Sequence, residues 1–153
     1  EYFADGISSK KPAMWGFQAA GAAPLVLGHP VENPETIATA IRIGKPASWN
    51  QAIAARDESA GLIDSVTDEE ILAAYRILSA HEGIFCEPSS AAGLAGLIKY
   101  KAAGKLPRGK KIVITCTGNG LKDIPWALEG AKDPVSVPVD ADVAADALGL
   151  KKA

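Results

Sequence analysis

Two stretches of this sequence join chemistry-bearing side chains to a backbone free enough to present them. The first is Thr117-Gly118-Asn119-Gly120-Leu121-Lys122-Asp123, which follows directly on the apolar and β-branched run Lys111-Ile112-Val113-Ile114-Thr115-Cys116. Such a run suits a central parallel strand, and a polar glycine turn at its carboxyl end lies where open α/β sheets bind ligands. A threonine hydroxyl there can hydrogen-bond a ring nitrogen without bringing a formal charge, while the glycines let the backbone approach a flat ligand. The same pattern also describes a strand-to-helix turn that binds nothing, since isolated glycine patterns match by chance.

The second stretch is Glu87-Pro88-Ser89-Ser90, after the strand-like Gly83-Ile84-Phe85-Cys86. An acid and two hydroxyls can face one crevice from here, and the same residues are ordinary first-turn and capping residues of a helix. Arg42-Ile43-Gly44 closes a predicted helix, where a cation and a glycine are explained by capping. His29 and His81 stand alone, without the Cys, His or Asp spacing of a metal site. Most lysines, such as Lys10-Lys11 and Lys151-Lys152, lie in polar stretches where a solvated ammonium is the default.

The elements that must position these residues alternate in type. Residues 1–13 read as a poorly ordered lead-in, and order begins near Met14, with a strand expected within Phe17 to Gly28. Asn33-Pro34-Glu35 gives a helix start and predicts a helix to about Arg42. Trp49, Ala52, Ile53 and Ala54 mark the inner stripe of a second helix ending at 58–61, and Leu62 to Val66 is a strand. Thr67-Asp68-Glu69-Glu70 is a capping box, and Ile71, Leu72, Tyr75 and Leu78 fall on one helical face. Pro88 opens a helix through about Lys101 whose Gly93 and Gly96 require a close neighbour, backbone or ligand. Val135 to Val137 reads as a short strand, and Asp140 caps a last helix containing Val143, Ala144 and Leu148. Alternation of this kind predicts an α/β fold, an open, mostly parallel sheet with helices on both faces.

With 153 residues, 48% apolar and 22% charged, the chain can build a core. Sixteen basic and eighteen acidic residues are interspersed for a net charge of −2, with no basic stripe, so neither nucleic acid nor a membrane surface is an expected partner. Small molecules and copies of the chain itself are. Cys86 and Cys116 both end predicted core strands, and this cysteine usage fits a reducing cytoplasm. The chain opens on Glu1 instead of Met and reads as a fragment.

Four blocks in register carry a resemblance. They are Phe17-Gln18-Ala19-Ala20-Gly21-Ala22-Ala23-Pro24-Leu25-Val26, then Ile37-Ala38-Thr39-Ala40-Ile41-Arg42-Ile43-Gly44 with Pro46-Ala47-Ser48-Trp49, then Gly83 through Ala92, and finally Thr117 through Asp123. From about Met14 onward the chain resembles the carboxyl-terminal portion of the threonine synthases, pyridoxal-phosphate enzymes of the tryptophan-synthase β type, fold type II. The resemblance implies that residues 14–153 are the carboxyl-terminal part of a large cofactor-binding domain. It further implies conversion of O-phospho-L-homoserine and water into L-threonine and phosphate, by a homodimer in full-length form. Thr117, with Gly118 beside it, would contact the pyridine nitrogen, Ala40 would lie against a face of the ring, and Glu87 would line the crevice without an assigned role.

A threonine hydroxyl cannot hold that nitrogen as a charged pyridinium, so the ring would be a gentler electron sink than one facing a carboxylate. The family's cofactor-bearing lysine, in a Ser-Phe-Lys-Asp-type motif, and its phosphate-holding glycine-asparagine loop have no counterpart in these residues. No catalytic residue is therefore assigned, and the chain alone is expected to be inactive. Lys122 belongs to the Gly-Leu-Lys-Asp stretch and is not the cofactor-bearing residue. After Asp123 the chain departs from the family pattern, with Ile124-Pro125-Trp126 in place of a polar proline turn. Two other readings stand beside this one: a threonine or serine dehydratase-like lyase of the same fold, and a non-catalytic α/β binding module.

Overall fold

The computed structural model describes residues 1–129 and 133–150. Its sheet is a parallel pair, β1 (Trp15–Ala19) and β2 (Leu62–Val66), in register from Trp15 opposite Leu62 to Ala19 opposite Val66. Parallel neighbours need a crossover, and it contains the short helix α1 (Pro24–Leu27) and α2 (Trp49–Glu58). Helix α3 (Asp68–Glu82) and α4 (Pro88–Ala102) follow, then α5 (Ile124–Leu128) and α6 (Ala141–Ala147). The fold class is α/β with parallel pairing, as the alternation of elements implies.

Side-chain spacing explains how α4 seats on the sheet. Trp15 and Phe17 share a face of β1, and Tyr100 of α4 meets both, with ring centroids 5.1 and 5.9 Å away. One turn earlier on the helix, Gly96 stands where a Cβ would lie 2.3 Å from the Phe17 ring. Gly93 likewise makes way for Ile114, whose Cγ2 would be 3.2 Å from an added Cβ. The close neighbours of these two glycines are therefore side chains, neither backbone nor ligand. Lys99 fastens the same helix to β2, donating to the Ser65 carbonyl at 2.6 Å and the Asp64 carboxylate at 3.2 Å. Burial raises the Asp64 pKa, but hydrogen bonds from the Ser65 N–H, Lys99 and Tyr100 outweigh it and hold the carboxyl below its ordinary value.

The core runs between α3 and α4. Ile71, Ala74 and Leu78 from one helix meet Ala91, Ala92 and Ala95 from the other, joined by Ala19, Ala38, Val66 and Cys86. Small residues on α4 permit that approach. The capping box of α3 forms in full: the Glu70 N–H donates to Thr67 Oγ1 and the Thr67 N–H to Glu70 Oε2. Asp140 caps α6 by accepting from the Asp142 and Val143 N–H groups. Leu72 and Tyr75 are only half-buried, and with Phe85 and Trp126 they line a shallow groove of about 300 Å³.

Several expected elements take other forms. The strand placed within Phe17 to Gly28 lies earlier, and Pro24, which lacks a ladder donor, starts α1 while Gln18 Oε1 accepts from the Leu25 N–H at 2.9 Å. No α-helix spans Asn33 to Arg42; only a 3-10 turn, Thr39–Ile41, forms there. Backbone donors ahead of that turn go to acceptors outside a helical ladder. The Ile37 N–H donates to Asp68 Oδ2, the Ala38 N–H to Thr36 Oγ1 and the Glu35 N–H to the Gly21 carbonyl. α2 forms as expected but buries no residue completely, with Trp49, Ala52 and Ile53 half-buried and Ala54 exposed.

Gly83 ends α3 in the left-handed region, at φ 65°. The stretch after it makes an isolated antiparallel bridge from Cys86 to Asn119, not a strand. Residues 111–116 join no ladder among the described residues, because β1 and β2 pair with each other and no strand flanks this run. Val113 accordingly points outward, 91% exposed, and Cys116 is exposed, so only Cys86 of the two cysteines is core. Val135 and Val137 sit in irregular chain, exposed. Among the described residues no helix is long and apolar enough to cross a membrane.

Overpacking at the α4–β1 contact exceeds the helix-propensity gain of alanine over glycine, which is about 1 kcal/mol. Gly96→Ala therefore destabilises the protein by about 1–2 kcal/mol net, measured as a lower denaturant midpoint. An unchanged or higher midpoint would show that Phe17 can move aside freely.

Candidate functional site

Three segments distant in sequence meet at the first turn of α4. Pro88 is pre-shaped for the start of that helix, which brings Ser89 and Ser90 into its first turn, both buried. Each hydroxyl takes a backbone amide from elsewhere. Ser89 Oγ accepts from the Ala40 N–H at 3.2 Å, and Ser90 Oγ accepts from the Gly118 N–H at 2.9 Å. The Glu87 N–H donates to the Gly118 carbonyl at 3.0 Å, and the Gly120 N–H to the Phe85 carbonyl at 3.2 Å.

Consecutive serines thus hold Ala40 and the Thr117-Gly118 step close to one helix end. Both side chains that the resemblance places at a ring, Ala40 and Thr117, are exposed, and Gly118 is buried. Thr117 Oγ1 lies 3.4 Å from Ser90 Oγ. A hydroxyl has one proton and two acceptor sites. Ser90, already accepting from Gly118, can donate to Thr117, which frees the Thr117 proton for an acceptor outside. The arrangement is a chain of neutral donors ending in a presented hydroxyl.

Glu87 is buried, 3% exposed, and its side chain does not cap α4. Its carboxylate occupies the space beside Gly118, where a Cβ would lie 2.0 Å from Oε1, and Lys122 Nζ is 3.5 Å from Oε2. Gly120 in turn makes room for the Phe85 ring. The glycines of this turn therefore accommodate the chain's own side chains. Sequence reasoning passed over Thr39 and Asp123, which join through a 3.1 Å hydrogen bond from Thr39 Oγ1 to Asp123 Oδ2. A signal existed, since Asp123 follows Lys122 in the same short turn, but nothing in spacing links it to position 39.

The remaining candidates stay apart from this place. Arg42 is exposed at the end of its 3-10 turn, His29 shares a 2.9 Å contact with the Pro30 carbonyl, and His81 is exposed in the last turn of α3. No metal-holding cluster of His, Cys, Asp and Glu occurs among the described residues.

The parallel pair and its helices make this part of an α/β domain, with the Ala40 and Gly118 amides anchored at one helix amino end. The chain belongs to the pyridoxal-phosphate dependent enzyme family, whose model matches residues 1–118. It is 55% identical to threonine synthase of Mycobacterium leprae over 150 residues, covering 98% of this chain and 42% of that protein. Against threonine synthase of Synechocystis sp. identity is 50% over 147 residues, 95% of this chain and 38% of that protein. The chain therefore spans about 40% of the length of these relatives. Its fold is shared with a fungal L-serine ammonia-lyase from Rhizomucor miehei, with a TM-score of 0.60 at 17% identity, covering 82% of this chain and 43% of that one.

The residues present fit one edge of pyridoxal phosphate. Thr117 offers a neutral, exposed hydroxyl of the kind a pyridine nitrogen accepts from, and exposed Ala40 adds little bulk.

Two measurements probe the framework. Ser90→Ala leaves the buried Gly118 N–H without its acceptor and costs about 1–3 kcal/mol, seen as a lower denaturant midpoint together with faster amide exchange at Gly118. Burial, with Cys116 nearby, pushes the Cys86 thiol from 9.0 up to about 11. Between these values the unfolded chain loses the proton that the folded one keeps, so stability falls as pH rises from about 9 to 11. In Cys86→Ala that alkaline loss should shrink, as read from denaturant midpoints at pH 8 and 10.5.

Proposed function

We propose that this chain is part of a threonine synthase, acting on O-phospho-L-homoserine and water to give L-threonine and phosphate. The observation that carries the reading is the double anchorage at Ser89 and Ser90, which holds Ala40 and Thr117 together. Identity of 50–55% to proteins named threonine synthase supports this reading.

When bound, pyridoxal phosphate supplies a conjugated ring that withdraws electron density from the substrate's α-carbon. Thr117 would hold the ring nitrogen by donating its hydroxyl proton, and, being neutral, would leave the ring a milder electron sink than a carboxylate partner would. Ala40 would keep bulk low beside the ring, and Gly118 lets the Glu87 carboxylate pack close beside the turn. The cofactor-bearing lysine and the phosphate loop belong to polypeptide beyond these residues in this reading, which also takes the whole enzyme to be a cytoplasmic homodimer.

The test uses the polypeptide that carries this chain, loaded with pyridoxal phosphate. It should release inorganic phosphate from O-phospho-L-homoserine and form threonine. Thr117→Val should lower kcat at least tenfold, about the worth of one hydrogen bond to a developing charge, and shift the cofactor's absorption maximum. Deamination of threonine or serine without phosphate release would favour the dehydratase-like lyase. Absence of cofactor binding would favour the non-catalytic module.

A further inference from the structure

The 3-10 turn Gly120–Asp123 carries two consecutive side chains that reach different segments. Lys122 Nζ sits 3.5 Å from the Glu87 carboxylate, and Asp123, itself buried, accepts from the Thr39 hydroxyl at 3.1 Å. Thr39 is covalently next to Ala40, and Glu87 is hydrogen-bonded through its backbone to Gly118. Each contact thus ends one residue or one hydrogen bond from a position assigned to the ring.

Energetics separate these contacts from ordinary surface pairs. A fully exposed ion pair contributes little, but Glu87 is buried, and a buried carboxylate deprived of its cation is strongly disfavoured. The same holds for the Asp123 carboxylate if its hydroxyl donor is removed. Two consecutive residues of the turn are therefore fixed to different segments, while Lys122 and Thr39 are exposed and can be replaced without cutting into the core.

We propose that Lys122 and Asp123 are positioning residues: one four-residue turn holds the Ala40 segment through Thr39 and the Thr117-Gly118 segment through Glu87, and so sets the separation of the two segments assigned to the cofactor ring. The inference rests on the reading of Ala40 and Thr117 as ring contacts. Neither Lys122 nor Asp123 touches the ring. Their effect is on the separation of the residues that do.

The test measures two things on the polypeptide that carries this chain: amide exchange at Gly118 and Gly120, and the affinity and absorption maximum of bound pyridoxal phosphate. Thr39→Val and Lys122→Met should each speed exchange at both glycines, weaken cofactor binding about tenfold and move the absorption maximum. Thr39→Ser and Lys122→Arg, which keep the hydroxyl and the cation, should restore affinity to within about twofold. Circular dichroism confirms that each variant is folded.

Wild-type affinity and spectrum in Thr39→Val and Lys122→Met would overturn the positioning role while leaving the ring contacts standing, even if exchange were faster. Failure of Thr39→Ser to differ from Thr39→Val would also overturn it. A wild-type polypeptide that holds no pyridoxal phosphate would instead bring down the ring-contact reading, and this inference with it.

Discussion

Everything at the candidate site depends on two hydroxyls in one helical turn accepting amides from outside that helix. Ser89 and Ser90 are adjacent, so their side chains leave α4 about 100° apart and reach different segments. Each bond satisfies a buried or partly buried backbone donor that otherwise has to be paid for by exposure to water. Because α4 is itself fixed by its small-residue face against α3 and by Gly96 under Phe17, those hydroxyls are held by packing. The positions of Ala40 and Gly118 follow from them.

Charge is arranged with the same economy. The Thr117 hydroxyl has the neutral Ser90 hydroxyl as its neighbour, whereas the Glu87 carboxylate faces Lys122 and the Asp123 carboxylate accepts from Thr39 of another segment. A neutral hydroxyl imposes no formal charge on its acceptor.

Local signals in the sequence translated well into structure. The Thr67 box, the Pro88 helix start and the Asp140 cap depend on neighbours within four residues, and all form; the β2 run forms because β1 is there to pair with it. Readings failed where long-range bonds or missing ladder partners decide the outcome. Asn33 to Arg42 has a good helix start but loses its amides to Asp68, Thr36 and Gly21; residues 111–116 have strand composition but no strand beside them among the described residues. At the site, Ser89, Ser90, Glu87 and Thr117 were visible as residue types at element ends. Their mutual bonds were not, nor was the Thr39–Asp123 contact, because nothing in local spacing encodes a pairing across 84 positions.

The interdigitation of the 118–123 turn with residues 85–87 has a consequence for how freely this stretch can vary. An added methyl at 118 would strike the Glu87 carboxylate and one at 120 the Phe85 ring, whereas Leu121 between Gly120 and Lys122 faces water, 69% exposed. A saturation library across the turn should therefore read as a comb, with positions 118 and 120 nearly invariant and 121 broadly permissive. The teeth of that comb are cut by the facing segment, so a compensating partner for a change at 118 should be sought at 87.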